Sequence, residues 1–468
     1  MTDKSLNDLT RDAQVLRQQG RHAEAIDALG AIVALAPENL HLHHNHAAAL
    51  GDAGRNREAA AILRTAIARG LNAPQSWLVY ARALTGIQKF EEAKKAFRRV
   101  LAQIPNDPAA HRDLAQLVWM QTGDREKAIA ALNTAIERDP SAAALHIVRA
   151  QIFGQTGAPE AEYEVMKEAA RRAPGVVDYE VAACNAALAC RSFEAAAVHG
   201  RRAVSLSPDG EDALASCATA LIATGDAALA EPMVETLLAH QPLNQLYIAM
   251  RASIWRLRDD DRYRDLYDYD ALVRAAPLDA PEGWASSERY VDDLIEALDE
   301  AHCYAAHPFF QSVKNGSQVS SITGSDNPAI RAFEEAAAGP ISDYLARLGA
   351  GSDPVRSRNI GGFRVFSAWS VSLPPAGFHV DHVHPQGWLS SACHLRPAAK
   401  DPADEKAGWL KFGEPGIATR PTLEAERYVE PQAGCIVLFP SYVWHGTAGF
   451  SSGPARLTIA ADIVPTAY

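Results

Sequence analysis

The prolines of the first 280 residues keep phase. Pro37, Pro105, Pro140, Pro174, Pro208, Pro242 and Pro277 are separated by 68, 35, 34, 34, 34 and 35 residues, and Leu71 stands at the missing beat of the double interval. A period of this length holds two short helices and their turns, and such a unit buries its apolar face only by stacking on its neighbours. The intervening segments agree: they are rich in Ala and Leu at helical spacing and poor in β-branched residues. A small residue recurs twelve positions before the proline, at Ala25, Ala93, Ala128, Ala196 and Ala230, where two helices must approach closely. Gly51, Gly54, Gly123 and Gly225 mark the expected inter-helix turns.

One unit carries Trp77, Ala93, Phe97 and Pro105, and on this pattern the segment resembles the tetratricopeptide repeats. The resemblance covers residues 5–280 in seven to eight units. It implies an all-α solenoid whose concave groove holds a protein or peptide, with a spacer or assembly element as the alternative. His41, His43, His44 and His46 crowd one expected helix. Spacings of three put pairs of them on one face, but no carboxylate or cysteine completes a metal site, so a solvated face is the expectation.

The whole chain, 468 residues with 45 basic and 57 acidic side chains, is longer than one core usually serves. Its net charge of −12 argues against a general nucleic-acid surface, which needs clustered Lys and Arg. Cys184, Cys190, Cys217, Cys303, Cys393 and Cys435 are scattered without a Cys-x-x-Cys pair, as free thiols are in a reducing compartment. The N-terminal stretch lacks the apolar run of a signal peptide and no segment reaches membrane-spanning length, so the expectation is a cytoplasmic protein with no membrane partner.

After Pro277 the texture changes. Residues 281–468 are expected to form a second domain beside the repeats of 1–280. An amphipathic helix is expected near the start, a polar loop over HPFFQSVKNGSQVSSITGSDN, and a helical pair over AIRAFEEAAAGPISDYLARLG. From Arg358 the pattern is of short strands, near 363–373, 387–395, 408–412, 435–439 and 456–464, broken by Gly and Pro. Short strands with turn signals suggest a sandwich or barrel.

Three segments carry the chemistry: GFHVDHVHPQGWLSSACHLRP, PQAGCIVLFPSYVWHGTAG and ARLTIAADIVP. They resemble bacterial 2-oxoglutarate- and Fe(II)-dependent oxygenases with a His-x-His-Pro motif, a Phe-Pro-Ser turn and a distal histidine. The resemblance spans residues 285–468. It implies a double-stranded β-helix (jelly roll) buttressed by the preceding helices, and a multidomain α + β chain. It further implies Fe(II) held by His382, His384 and His445, with 2-oxoglutarate as co-substrate. Ten residues separate His445 from Arg456, and the resemblance gives the guanidinium of Arg456, helped by Thr458, the distal carboxylate of 2-oxoglutarate.

The general His-x-Asp motif is also met, by His379-Val380-Asp381, and stays open as the alternative ligand pair. On a regular strand residues 379 and 381 face away from 382 and 384. Trp388, Trp444 and Arg364 are candidate cavity walls. His394 stands where related proteins show tyrosine, with Ser390 or Ser391 as substitutes. The reaction implied is hydroxylation of a side chain on a protein or peptide brought by the repeats. An inactive adaptor, or a small-molecule oxygenase using the repeats for assembly, is the rival.

Overall fold

The structure, a computed structural model, describes residues 5–18 and 21–466, so the first four residues of the N-terminal stretch lie outside the described residues. It forms two compact units, Met1–Val148 with Ser320–Arg331, and Arg149–Val319 with Ala332–Tyr468.

Seven helical hairpins run in tandem from Leu6–Gln18/His22–Leu35 to Glu211–Thr224/Ala227–His240, and the helix Gln245–Leu257 follows them. Each phased proline up to Pro242, and Leu71, follows the second helix of its hairpin. The recurrent alanine is why the helices of a hairpin can touch: Ala25, Ala59, Ala93, Ala128, Ala196 and Ala230 are all buried. One hairpin breaks the rule with Glu162, and there the facing helix carries glycine. A Cβ on Gly154 would lie 1.8 Å from Glu162 Oε2. Burial pushes that carboxyl up to about 7. Of the histidine cluster, His41 is exposed and the other three are half-buried, and His43 joins a contact that recurs along the repeats. His43 Nε2 lies 2.9 Å from the Pro37 carbonyl, as His111 does from Pro105 (2.9 Å) and His146 from Pro140 (3.0 Å). These imidazoles, six residues past the proline, cap a carbonyl that the helix cannot satisfy.

Eleven strands follow: β1 (Arg274–Pro277), β2 (Val313–Lys314), β3 (Ser317–Val319), β4 (Phe363–Leu373), β5 (Phe378–His379), β6 (Leu389–Arg396), β7 (Leu410–Phe412), β8 (Arg427–Val429), β9 (Cys435–Pro440), β10 (His445–Thr447) and β11 (Arg456–Pro465). They form a jelly roll, with a six-stranded sheet in the order β1-β9-β6-β11-β4-β3, a three-stranded sheet β10-β7-β8, and the pair β2-β5. Helices Ser287–Ala301 and Phe333–Leu348 buttress the larger sheet.

Three local expectations change. Pro277, in phase with the repeat prolines, ends β1, the edge strand that its missing N–H tolerates. The polar stretch expected as loop holds β2 and β3, too short to leave an alternating pattern. The expected helical pair divides unevenly, into a four-residue helix, Pro328–Arg331, and a long one, Phe333–Leu348, that runs through Pro340. Proline cannot bond the carbonyl four residues back, and the Ala336 carbonyl instead accepts the Asp279 N–H at 3.0 Å.

Within the second unit the last helices grip the jelly roll. Arg256 donates to the carbonyls of Gly413 and Glu424, both at 2.8 Å. The buried Tyr267 hydroxyl donates to the Tyr442 carbonyl at 2.7 Å and accepts from Trp444 N–H at 3.4 Å. Trp444 in turn donates through Nε1 to Ser253 at 3.0 Å. Replacing Tyr267 by Phe strands a buried carbonyl and amide, and should cost about 1–3 kcal/mol. A urea titration with an unchanged midpoint would show that this contact does not hold the two parts together.

Candidate metal and co-substrate site

The three histidines reach one point from two chain segments. His382 and His445 pair as an isolated antiparallel bridge, N–H to carbonyl at 2.9 and 3.1 Å, so their side chains project side by side. Two residues on, His384 N–H donates to the Ser441 carbonyl at 3.1 Å. Ring centroids are 4.3 Å apart for His382 and His445, and 5.1 Å for His384 with either. One nitrogen from each of the three lies within 4.8 Å of the others, and among the described residues no other such group of His, Cys, Asp and Glu occurs.

Their other nitrogens are already committed. Nδ1 of His382 lies 2.8 Å from the Val380 carbonyl, and Nδ1 of His445 lies 3.0 Å from the Val443 carbonyl. Nδ1 of His384 meets the Asp462 carboxylate. Three acceptors thus fix the Nδ1–H tautomer and turn each Nε2 lone pair toward a metal, that of His382 also lying 3.4 Å from Ser312 Oγ. Burial and the neighbouring imidazole of His384 hold His382 down to about 3, and burial holds His445 well below its ordinary value. Both are therefore neutral, the form that binds metal. This donor set fits Fe(II): imidazoles suit it, and three ligands leave coordination positions open.

Beyond the triad lies a second orphan. Arg456 is 2% exposed, yet no carboxylate among the described residues pairs with it. Its Nη2 lies 3.3 Å from His394 Nδ1, and its Nε has no partner. Burial lowers it to about 10, still a cation at neutral pH. Arginine is almost never buried without an anion. It lines, with the three histidines and Thr458, one small cavity of about 40 Å³. That is of the order of one water, so a dicarboxylate enters only as the walls yield. Outside it opens a vestibule of about 670 Å³, and the two share Trp369, His382 and His384.

The other candidates are dispersed. Asp381 faces away from the triad, its Oδ2 2.8 Å from Lys411 Nζ, and burial, partly offset by Lys411, raises it to about 6. His379 does line the inner cavity, 5.8 Å from the His382 ring, because β5 ends at 379 and strict alternation ends with it. Its Nδ1 rests 3.0 Å from Ser312 Oγ. Trp388 is core, donating to the Val355 carbonyl, and Trp444 packs on the last repeat helix; neither lines the cavity. Arg364 is exposed, over the ring of Phe366. Ser391 lines the cavity, whereas Ser390 supports Asp462 Oδ1 at 3.2 Å. Asp462 is the residue that sequence reasoning missed, though it is the one carboxylate in the apolar run LTIAADIVP.

Residues 367–462 match the model of the family described as "Putative 2OG-Fe(II) oxygenase", and 44–108 and 86–152 match two tetratricopeptide-repeat families. The chain therefore joins tetratricopeptide repeats to a domain of that oxygenase family. Among solved structures it is similar to a tetratricopeptide repeat protein from Parabacteroides merdae, at 12% identity over 53% of this chain and 98% of the other, with a TM-score of 0.38. It is similar also to MamA, at 19% identity over 34% of this chain and 93% of the other, with a TM-score of 0.28. Likeness this loose carries no argument about the oxygenase domain. No curated protein matches in sequence.

Two outcomes follow from the imidazole network. Asp462→Asn keeps the shape but removes the anionic acceptor behind His384, and should weaken metal binding about 10–100-fold in a competitive chelator titration. Unchanged affinity would remove Asp462 from the site. The buried imidazoles of His382 and His445 refuse protons that an unfolded histidine takes up near 6.5. The unfolded state therefore binds more protons in acid, and the metal-free protein should lose stability as pH falls below about 6.5. Equal melting temperatures at about pH 7 and about pH 5 would contradict this.

Proposed function

We propose that the chain is a 2-oxoglutarate-dependent oxygenase that hydroxylates a side chain of a protein or peptide. In this reading residues 1–280 recruit the substrate and residues 281–468 carry the reaction. The observation that supports it most is Arg456. Three imidazoles alone suit zinc as well as iron. A buried, unpaired guanidinium in the same cavity calls for a carboxylate beside the metal, and its planar fork matches one bidentately.

Iron with 2-oxoglutarate, held by His382, His384, His445 and Arg456, would supply the oxidising chemistry, O₂ and the keto acid giving succinate, CO₂ and one oxygen for a substrate C–H bond. The protein's own part is positioning and shielding. His382, His384 and His445 hold the metal as neutral ligands, so its full charge attracts the dianionic co-substrate. Arg456 and Thr458 fix the distal carboxylate and thereby orient the keto end. Trp369 and Phe439 wall the cavity against water. Repeats give such a chain an extended surface for a peptide partner.

Iron-dependent formation of succinate from 2-oxoglutarate tests the reading and separates it from an inactive adaptor. Arg456→Ala should weaken 2-oxoglutarate binding by about two orders of magnitude or more, because one partner of a buried charged pair is lost. Lysine should restore only part of it. Anaerobic titration of 2-oxoglutarate into the Fe(II)-loaded variant, followed by the metal-to-ligand absorbance band, measures this. An unchanged dissociation constant would take Arg456 out of the reading.

A further inference from the structure

The vestibule outside the iron triad holds a second unpaired cation. Lys314, on β2, lines it, and among the described residues no carboxylate pairs with the ammonium and no hydrogen bond satisfies it. Its neighbour along the strand, Val313, is buried in the core with Val371 and Leu373, so the pleat sends Lys314 to the opposite face. The ammonium is partly withdrawn from water, which lowers its pKa. No acidic neighbour offsets that burial. The vestibule's two carboxylates, Asp381 and Asp462, are turned to Lys411 and His384. A partly buried charge without a partner is costly, and it suits a site whose partner arrives with the ligand.

The remaining walls say what kind of ligand carries that charge. Phe310 stands 55% exposed at the rim, and Phe366 and Trp369 lie further in. Gln155 comes from a repeat helix. Its Oε1 accepts the Phe310 N–H at 2.8 Å, and its side chain lines the vestibule. Gln386 faces the same space from the turn after His384. Amides that can read a backbone, exposed aromatic rings and one fixed cation together fit an extended peptide bearing a carboxylate better than a compact small acid. The volume of about 670 Å³ admits several residues of chain.

We propose that this vestibule captures an acidic segment of a polypeptide, with an Asp or Glu side chain on Lys314. Arg456 is then the inner cation, for the co-substrate, and Lys314 the outer one, for the substrate. The repeat helix that supplies Gln155 forms part of the same mouth, so recruitment and capture share a surface within the second unit. The inference rests on the oxygenase reading for what happens to the bound segment, and not for its capture.

Binding without turnover tests it. Fluorescein-labelled, end-blocked heptapeptide mixtures with Asp or Glu fixed at the centre are titrated against the full-length iron-free protein by anisotropy. Mixtures with Asn or Gln at that position serve as the reference. Acidic mixtures should bind about tenfold tighter or more, the worth of one charged hydrogen bond. Lys314→Gln should abolish that preference and Lys314→Arg should keep it. Equal binding of acidic and amide mixtures overturns the proposal, as does a preference that survives Lys314→Gln. N-acetylaspartate binding as tightly as the acidic peptides also overturns it, by placing a small acid there. Acid preference without succinate formation upholds this inference and sinks the oxygenase reading. Iron-dependent succinate formation without acid preference does the reverse.

Discussion

Strand β11 sets the geometry of the whole site. It is bonded on both edges, to β6 and to β4, so its backbone has no freedom to turn. The pleat then sends Leu457, Ile459, Ala461 and Ile463 one way and Arg456, Thr458, Ala460 and Asp462 the other. The first set is core or nearly so. The second faces the two cavities: Arg456 deep in the inner one, Ala460 small enough to leave room, Asp462 beneath His384 at the mouth. One strand thus spaces Arg456 from Asp462, the support of His384, by six residues. A register slip of one residue would exchange charge for leucine along the entire site.

That spacing also accounts for the absence of a carboxylate in the donor set. The common ferrous arrangement has two histidines and one carboxylate. Here the carboxylate sits one hydrogen bond further out, on His384 Nδ1, held in place by Ser390. A carboxylate there would make His384 the more basic ligand for a metal. With three neutral ligands, however, a bound Fe(II) would keep its full positive charge. Arg456 and Lys314 add two cations to the cleft of a protein whose net charge is −12.

Large features were legible because they repeat or alternate over many residues. The proline phase and the recurrent alanine gave the hairpins, and the long strands β4, β6, β9 and β11 fell within a residue or two of their expected spans. His382, His384, His445, Arg456 and Thr458 are the residues that the family resemblance implies, and the structure brings all five to one cavity. What was not legible depends on contacts between distant segments. β2, β3 and β5 are two or three residues long and exist only through their partners. Pro340 passes as a helix breaker until Asp279 takes the carbonyl it frees. Asp462 and Lys314 carry no motif; their meaning lies in the side chains across from them, or in the lack of any.

The central claim is that three imidazoles, and no carboxylate, hold the metal. X-ray absorption at the iron edge of the anaerobic Fe(II)-loaded protein measures this directly. The account expects scattering from three imidazole rings, with a spectrum that Asp381→Asn leaves unchanged, since that side chain is paired to Lys411. Two rings with a carboxylate, or a first shell altered by Asp381→Asn, would contradict it.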